Sequence, residues 1–392
     1  MSKDKSKAGG KTGKLSPYEE DYTLEEFEDD GGLFGKKNLD DFFFLTFKAF
    51  KFARRGRGHT RPNPCVGAVV VRKNKIVGVG WHKRAGGEHA EVMALRDAGR
   101  HAKDSTLYVT LEPCSTPGRV GACTDAIIAA GVSRVVYASD DPNPRNAGRA
   151  KDVLAKAGIA CEKCQGIDES DRNELSLLGD EILRGFKKVF ARPEGSPAVP
   201  YITVKIAMSL DGKICDKNGN SKWISSDKKR AETDEYRSIV DAVMVGAETV
   251  RRDNPSLLYH GGENPDLLRV IVTSSGKGLS RSSQVFSDDA CARTYILCVG
   301  RKTVPDALKS WTEGERPIGG VIAAPTMALA LDELHKRTGV LEIFCEGGMK
   351  LATSLAEEGL VDEWLSITAP IVIGSRTIDN PIRINKVLCS QD

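Results

Sequence analysis

The sequence predicts an α/β protein of two domains, and three observations carry that prediction. Strand-like and helix-like segments alternate from about residue 41 onward. The stretch "ARPEGSPAVP" interrupts the alternation. The length of 392 residues suits two or three domains of about 150 residues each. Alternation of this kind stacks helices on a largely parallel sheet, with sites at the carboxyl ends of the strands. Hydrophobic residues make up 40% of the chain, enough for packed cores.

Residues 1–38 stand apart. A Lys/Gly opening gives way to "YEEDYTLEEFEDDGG", acidic and then Gly-rich, which reads as a disordered charged tail or a regulatory arm. The first domain spans 39–190. It opens on "DDFFFLTFKAFKFARRG", where Phe43, Phe44, Phe47, Phe50 and Phe52 recur at helical intervals and Gly56 fits a helix stop. "CVGAVVV" and "KIVGVGW" read as strands around a short "RKN" turn. "HAEVMALRDAG" reads as a helix ending at Gly99, "STLYVTL" as a strand, "CTDAIIAAG" as a helix ending at Gly131, and "RVVYAS" as a strand. "DVLAKAG" adds a helix and "GIACEKC" a strand, before a helical stretch to about Phe190. A linker, 191–198, leads into a second domain at 199–392. Its strands are "YITVKIAMS", "DAVMVGA", "LLRVIVTS", "TYILCVG", "LEIFCEGG" and "WLSITAPIVIG"; its helices include "TMALALDELHKRTG" and "MKLATSLAEEG".

Fifty-seven basic against fifty-four acidic side chains leave +3, too balanced to make nucleic acid or a membrane surface the main partner. No run of eighteen apolar residues is present to span a membrane. The opening "MSKDKSKAGGKTGK" lacks the apolar core of a signal peptide. Ten cysteines without a secretion signal point to a reducing compartment, so a cytoplasmic protein is expected.

"GEHAEVMAL" places His89 and Glu91 two residues apart at a helix start. They share no helical stripe, yet both can face a point beyond the N-terminus, where backbone N–H groups lie free. Cys114 follows a strand, and Cys123 opens the next helix. Two thiolates and an imidazole form a three-ligand zinc set that leaves the fourth position for water, whose pKa zinc lowers. Glu91, not a ligand, can then carry the proton to a departing amine. His-x-Glu followed by Pro-Cys and a second Cys is the pattern of zinc deaminases. The plainer reading is a buried cysteine pair with a capping histidine. A structural zinc would need a fourth protein ligand, and the sequence offers none.

Cytidine and transfer-RNA adenosine deaminases usually carry Pro-Cys-x-x-Cys, whereas eight residues separate Cys114 from Cys123. "RPNPCVGAVVV", "GWHKRAGGEHAEVMALRDAG", "YVTLEPCSTPGRVGACTDAIIAAGVSRVV" and "DPNP" resemble the deaminase half of the bifunctional riboflavin-biosynthesis deaminase/reductase family, over about 41–190. The resemblance implies a cytidine-deaminase-like three-layer domain that removes an amino group from a ribosylaminopyrimidine 5′-phosphate. By position it makes His89, Cys114 and Cys123 the zinc ligands and Glu91 the catalytic proton shuttle. It puts Asn63 and His82 in the pyrimidine pocket, where ordinary turn or surface chemistry is the alternative. The family has a His two residues after the first Cys and "RTPPC" before the second; this chain has Thr116 and "RVGAC".

The second domain has no G-x-G-x-x-G. "IFCEGGMKLATSLAEEG" offers a strand, then Glu346-Gly347-Gly348, then a helix start whose N–H groups can approach a phosphate. With "VKIAMSLDGKI", "GNSKWISS" and "VDAVMVGAETVRRDNPSL", it resembles the reductase half of the same family, a fold similar to dihydrofolate reductase. That half reduces the ribosyl ring to a ribityl chain with NADPH. The resemblance implies cofactor contacts at Ala207, Trp223, Thr249 and Asp253, and along the backbone from Gly348 through Met349, Lys350, Leu351, Ala352 and Thr353 to Ser354. It implies substrate contacts at Ser221, Arg237, Leu257 and Glu346. The Arg237 fork suits a substrate phosphate. Trp223 has a plainer reading as buried core, and Lys205 and Asp211 read equally as catalytic or as strand-end and turn residues. Where the family has an Arg three residues after Leu257, this chain has His260. The closing "RINKVLCSQD" is shorter than the family's last strands.

"CEKC" at Cys161–Cys164 stands without a second pair and is discounted. "KFARRGRGHTR" can draw an anionic substrate or simply solvate a helix end. The expected partner is a phosphorylated pyrimidine, with no nucleic acid and no membrane, and the chain is expected to form a homo-oligomer. The alternatives are a diverged relative acting on another aminopyrimidine or nucleotide, a transfer-RNA deaminase, and a non-catalytic metal-binding scaffold.

Overall fold

The computed structural model describes residues 41–116, 121–166, 168–262, 264–379 and 381–383. The 1–38 tail, part of the "RVGAC" stretch and the closing "INKVLCSQD" lie outside the described residues.

The first sheet is built from β1 (Gly67–Arg72), β2 (Lys75–Trp81), β3 (Thr106–Leu111), β4 (Arg134–Ser139) and β5 (Ala160–Lys163), in the order β2-β1-β3-β4-β5. It is mixed rather than largely parallel: β1 runs antiparallel to both β2 and β3, and only β3, β4 and β5 are parallel. The cause is the turn after β1, where Lys73 and Asn74 take φ of 51° and 59°. Two consecutive residues in the left-handed region close a tight hairpin, which forces antiparallel pairing.

The opening helix also departs from its expected face. Phe44–Ala49 is a π-helical segment running into the α-helix Phe50–Arg54. The wider turn shifts the apolar stripe. Phe44, Leu45 and Phe50 are buried, whereas Phe47 is 55% exposed.

Helices Ala90–Ala98, Cys123–Ala130 and Arg149–Lys156 flank this sheet, and the long helix Glu169–Phe190 leaves it. That last helix belongs to both halves. Ile182 and Leu183 enter the first core, while Phe186 and Val189 pack on Ala198 and Leu341. Arg184 on the same helix donates to Glu342, Glu363 and the Tyr236 hydroxyl, each at 2.9 Å.

The second sheet has seven strands, all parallel: β6 (Tyr201–Ser209), β7 (Ala242–Gly246), β8 (Leu268–Thr273), β9 (Thr294–Val299), β10 (Gly320–Ala324), β11 (Glu342–Cys345) and β12 (Glu363–Ala369). Their order is β10-β9-β8-β7-β11-β6-β12, and a small hairpin pairs β13 (Ile371–Val372) with β14 (Ile382–Arg383). The sequence reading passed over β10, a short edge strand led in by a Gly pair. It also passed over the helix Asp227–Tyr236, which is polar on most of its surface and is held by a Ser226 cap accepting from Lys229 N–H.

Candidate functional site

Two helix N-termini converge on the first site. His89 is the N-cap of Ala90–Ala98, in extended conformation, with Glu91 in the first turn. Cys123 opens its helix, and Cys114 lies just beyond β3. The ligand atoms of His89, Cys114 and Cys123 all lie within 4.8 Å of one another. His89 Nδ1 is 3.1 Å from Cys123 Sγ and 3.6 Å from Cys114 Sγ, and the Cys123 N–H donates to Cys114 Sγ at 3.3 Å. Hydrogen bonding from Cys123 and from His89 holds the Cys114 thiol well below its ordinary value, at about 4. The same shared proton pushes Cys123 up. This donor set fits zinc in a catalytic arrangement, since among the described residues no fourth protein ligand joins it. Glu91 is 4% exposed, and burial raises its pKa.

Asn63 and His82 meet beside this cluster. His82 Nδ1 lies 2.9 Å from the Glu88 carbonyl, which can only accept, so Nδ1 carries the proton and Nε2 accepts from the Asn63 amide at 2.9 Å. Burial favours that neutral ring. The His82 and His89 rings stand edge to face, 5.5 Å apart. The sequence reading missed Glu112, two residues before Cys114. Its carboxylate accepts from the N–H groups of Gly148, Ala150 and Asp141, tying the end of β3 to the next loop and helix. A carboxylate inside "TLEPC" was the available signal. Cys161 and Cys164 are buried outside the ligand cluster, and burial raises both thiols.

The second site lies at the carboxyl end of β11. Glu346 accepts from Arg237 Nε at 2.7 Å and Nη2 at 3.2 Å, and Arg237 Nη1 donates to the Leu258 carbonyl at 2.8 Å. The Arg237 fork is thus taken up by Glu346, and a ligand phosphate must share the N–H that remains. Lys205 on β6 is half-buried within electrostatic reach of both, and burial lowers its pKa. Leu257 is buried with φ at 56°, an unusual conformation for a bulky residue and one that redirects the backbone here. Both ring nitrogens of His260 are engaged. Its Nδ1 meets Asp234 at 2.8 Å and its Nε2 meets Ser256 at 2.9 Å. Asp211 ties the end of β6 to Ile373 N–H and Gly374 N–H, a turn role.

Gly348 caps the helix Met349–Glu357, and a Cβ placed there would meet nothing within 4 Å, so the approach to its N–H groups is open. That geometry fits a dinucleotide phosphate. Only Gly348, Met349 and Lys350 can present such groups outward. Leu351 and Ala352 are buried, with N–H groups bonded back to the Gly348 carbonyl, and Thr353 and Ser354 lie inside the helix. Of the Gly348–Ser354 stretch expected near the cofactor phosphates, the N–H groups that face outward are those of the first turn. Trp223 is not core: it is 61% exposed, with the Arg230 guanidinium 4.3 Å from the ring centroid. Ser221 is exposed beside it, while Ala207, Thr249 and Asp253 are partly buried, and Lys222 Nζ reaches Asp253 at 3.5 Å.

Comparison with known proteins agrees with this division of labour. The family model for the cytidine and deoxycytidylate deaminase zinc-binding region matches residues 44–139, and that for the RibD C-terminal domain matches residues 200–387. Riboflavin biosynthesis protein RibD of Escherichia coli (strain K12) is 35% identical over 348 residues, covering 86% of this chain and 89% of the relative. The Bacillus amyloliquefaciens protein of the same name is 34% identical over 349 residues, covering 86% of each. Among solved structures, Acinetobacter baumannii RibD (form 1) aligns with a TM-score of 0.73 at 31% identity, over 90% of this chain and 92% of that one. The Thermotoga maritima diaminohydroxyphosphoribosylaminopyrimidine deaminase/5-amino-6-(5-phosphoribosylamino)uracil reductase aligns with 0.67 at 28%, over 88% and 89%. With a deaminase domain followed by a reductase domain in the same order and over the same span, the chain belongs to the RibD family of riboflavin-biosynthesis deaminase/reductases.

Proposed function

We propose that this chain deaminates a diamino-ribosylaminopyrimidinone 5′-phosphate in domain 39–190 and reduces the ribosyl group of the product to ribityl in domain 199–392, across the 191–198 linker. The observation that carries the reading is the convergence of His89, Cys114 and Cys123 within 4.8 Å beside the buried Glu91, in one chain with a reductase domain. Those three residues would hold zinc, which supplies Lewis acidity and a water-derived nucleophile at neutral pH. Glu91, raised by burial, takes a proton from the incoming water and gives it to the leaving amine. Asn63, oriented by His82, positions the pyrimidine.

In the second domain, NADPH supplies a hydride. The first-turn N–H groups at Gly348, Met349 and Lys350 would hold its phosphate, and the exposed Trp223 would hold it together with Ala207, Thr249 and Asp253. Ser221, Arg237, Leu257 and Glu346 hold the intermediate, with Arg237 and Glu346 acting as one paired unit. The enzyme is taken to work as a cytoplasmic homo-oligomer that does not bind nucleic acid; the balanced charge supports the last of these. No helix among the described residues is long and apolar enough to cross a membrane.

The test is metal content against activity. Cys114→Ala and Cys123→Ala are each expected to lose both zinc and ammonia release, with reduction of supplied intermediate intact. Full deamination in either variant contradicts the ligand assignment.

A further inference from the structure

The loop 56–65 leads from the opening helix to β1, and it faces both domains. On the deaminase side it is held at both ends by His82. Gly56 lies so close that a Cβ there would stand 2.7 Å from the His82 carbonyl, and Asn63 Nδ2 is 2.9 Å from His82 Nε2. The loop is also braced within itself. Thr60 Oγ1 donates to the Asn63 carbonyl at 3.0 Å, and the Asn63 N–H donates to the Thr60 carbonyl at 2.9 Å. A shift at Thr60 is therefore passed on to Asn63.

The crown of the loop, 57–62, is seated on the reductase domain. Gly58 has φ of 77°, and a Cβ built on it would stand 2.7 Å from the Ser238 carbonyl and 3.3 Å from Asn264 Nδ2. The left-handed backbone and the close approach both require glycine. Ser238 directly follows Arg237, and Asn264 Nδ2 donates to the Arg237 carbonyl at 3.0 Å, so the crown rests on the turn after the helix Asp227–Tyr236. His59 Nδ1 reaches Asp266 at 3.5 Å, and Arg57 reaches Glu342 at 3.6 Å. Pro62 lies against Gly339, the C-cap of the helix Met327–Thr338, where a Cβ would stand 2.9 Å from the Pro62 ring. A cavity of about 20 Å³ remains in this joint, bounded by Arg57, Thr60, Arg61 and Asn63 from one domain and Asp241 and Glu342 from the other. That gap is no more than water-sized, so the joint is closely packed.

We propose that docking of this crown on the reductase domain sets the position of Asn63, and that Gly58 and, from the other domain, Gly339 are positioning residues for substrate binding in the deaminase. The inference rests on the reading of Asn63 as a pyrimidine contact. His89 and Glu91 stand on the helix Ala90–Ala98 and Cys123 on the helix it opens, apart from the loop. A displaced crown therefore weakens substrate affinity and spares the metal and the chemical step.

The experiment uses the zinc-loaded full chain and the diamino-ribosylaminopyrimidinone 5′-phosphate, with KM and kcat for ammonia release measured alongside zinc content. The variants are Asn63→Ala, Gly58→Ala, Gly339→Ala, each of these glycine changes combined with Asn63→Ala, and Gly300→Ala. Gly300 has φ of 78° with nothing within 4 Å of a built Cβ, so an alanine there carries comparable backbone strain without touching the loop. Gly58→Ala and Gly339→Ala are each expected to raise KM about tenfold, with kcat within about threefold and zinc retained. Gly300→Ala should keep the wild-type KM. In the Asn63→Ala background neither glycine change should raise KM further, because all three remove one interaction. Unchanged KM in Gly58→Ala or Gly339→Ala, beside a raised KM in Asn63→Ala, overturns the proposal and leaves the pocket reading standing. Additive losses in the double variants, an equal rise in Gly300→Ala, or loss of zinc in either glycine variant overturns it as well. An unchanged KM in Asn63→Ala overturns the pocket reading of Asn63, and the proposal with it.

Discussion

Glu91 and Arg237 show how differently single residues came through from sequence. Glu91 lies in the first turn of its helix, buried beside the His89, Cys114 and Cys123 cluster, as a His-x-Glu pair at a helix start leads one to expect. Glu91→Gln keeps the shape and removes the proton carrier. Zinc should stay bound while deamination falls by roughly 10²–10⁴-fold, and near-normal turnover would assign the proton to another group. Arg237 was expected to meet a substrate phosphate, and its pairing with Glu346, 109 residues away in sequence, had no local signal. Both side chains are largely buried, so Arg237→Ala leaves the Glu346 carboxylate unpaired, a disruption of roughly 3–5 kcal/mol. Reduction of supplied intermediate should collapse in that variant while deamination persists. An unchanged KM for the intermediate would remove Arg237 from the pocket. Pairings across long sequence separations, such as Thr116 with Asn146 or His260 with Asp234, carry no local signal and appeared only in the folded chain.

Elements were legible where periodicity and punctuation agreed. The helices after His89 and Ala122 and the seven-stranded sheet's inner strands followed from apolar runs bounded by Gly, Ser or Thr. What periodicity could not show is how closely elements approach. Gly78 and Gly80 on β2 lie under the Ala90–Ala98 helix, and a Cβ on either would stand 2.3 Å from the carbonyl of Ala94 or Ala90 respectively. The helix that carries Glu91 and begins at His89 can sit there only because β2 has no side chain at those positions. Gly80→Ala must push the N-terminal turn away. Zinc content and deamination should therefore fall together, with reduction of supplied intermediate retained. A variant with wild-type zinc and turnover would mean the helix position is not set by that contact. The π-helical segment at Phe44–Ala49 and the edge strand β10 escaped sequence reading for a related reason. One breaks the 3.6-residue repeat and the other is too short to display a period.

At the scale of the whole molecule, the two domains meet through charged groups that composition alone could not place. Asp241, buried where β7 begins, accepts from the N–H groups of Leu341 and Glu342, and burial pushes its pKa up to about 6 against the pull of Arg61. The folded protein thus holds this proton more tightly than the unfolded chain does. Stability from Asp241 is fully present below about pH 4 and is lost as the pH rises through about 6, a loss of roughly 3 kcal/mol. Asp241→Asn removes that titration. Its stability relative to wild type, measured by urea denaturation, should rise by up to about 3 kcal/mol between pH 4 and pH 7. A difference that does not vary with pH would show that Asp241 does not titrate in this range.

The central claim is that one chain performs both reactions in sequence, and product identification by mass tests it directly. The purified zinc-loaded protein is incubated with the diamino-ribosylaminopyrimidinone 5′-phosphate, with and without NADPH. Without NADPH, the account predicts ammonia and a single product in which one amino group has become a carbonyl, the ribosyl ring intact. With NADPH, it predicts that this product gains two hydrogens and opens to the ribityl chain while NADPH is consumed in equal amount. Recovery of unchanged substrate in both incubations, or accumulation of the deaminated product without NADPH consumption, would contradict it.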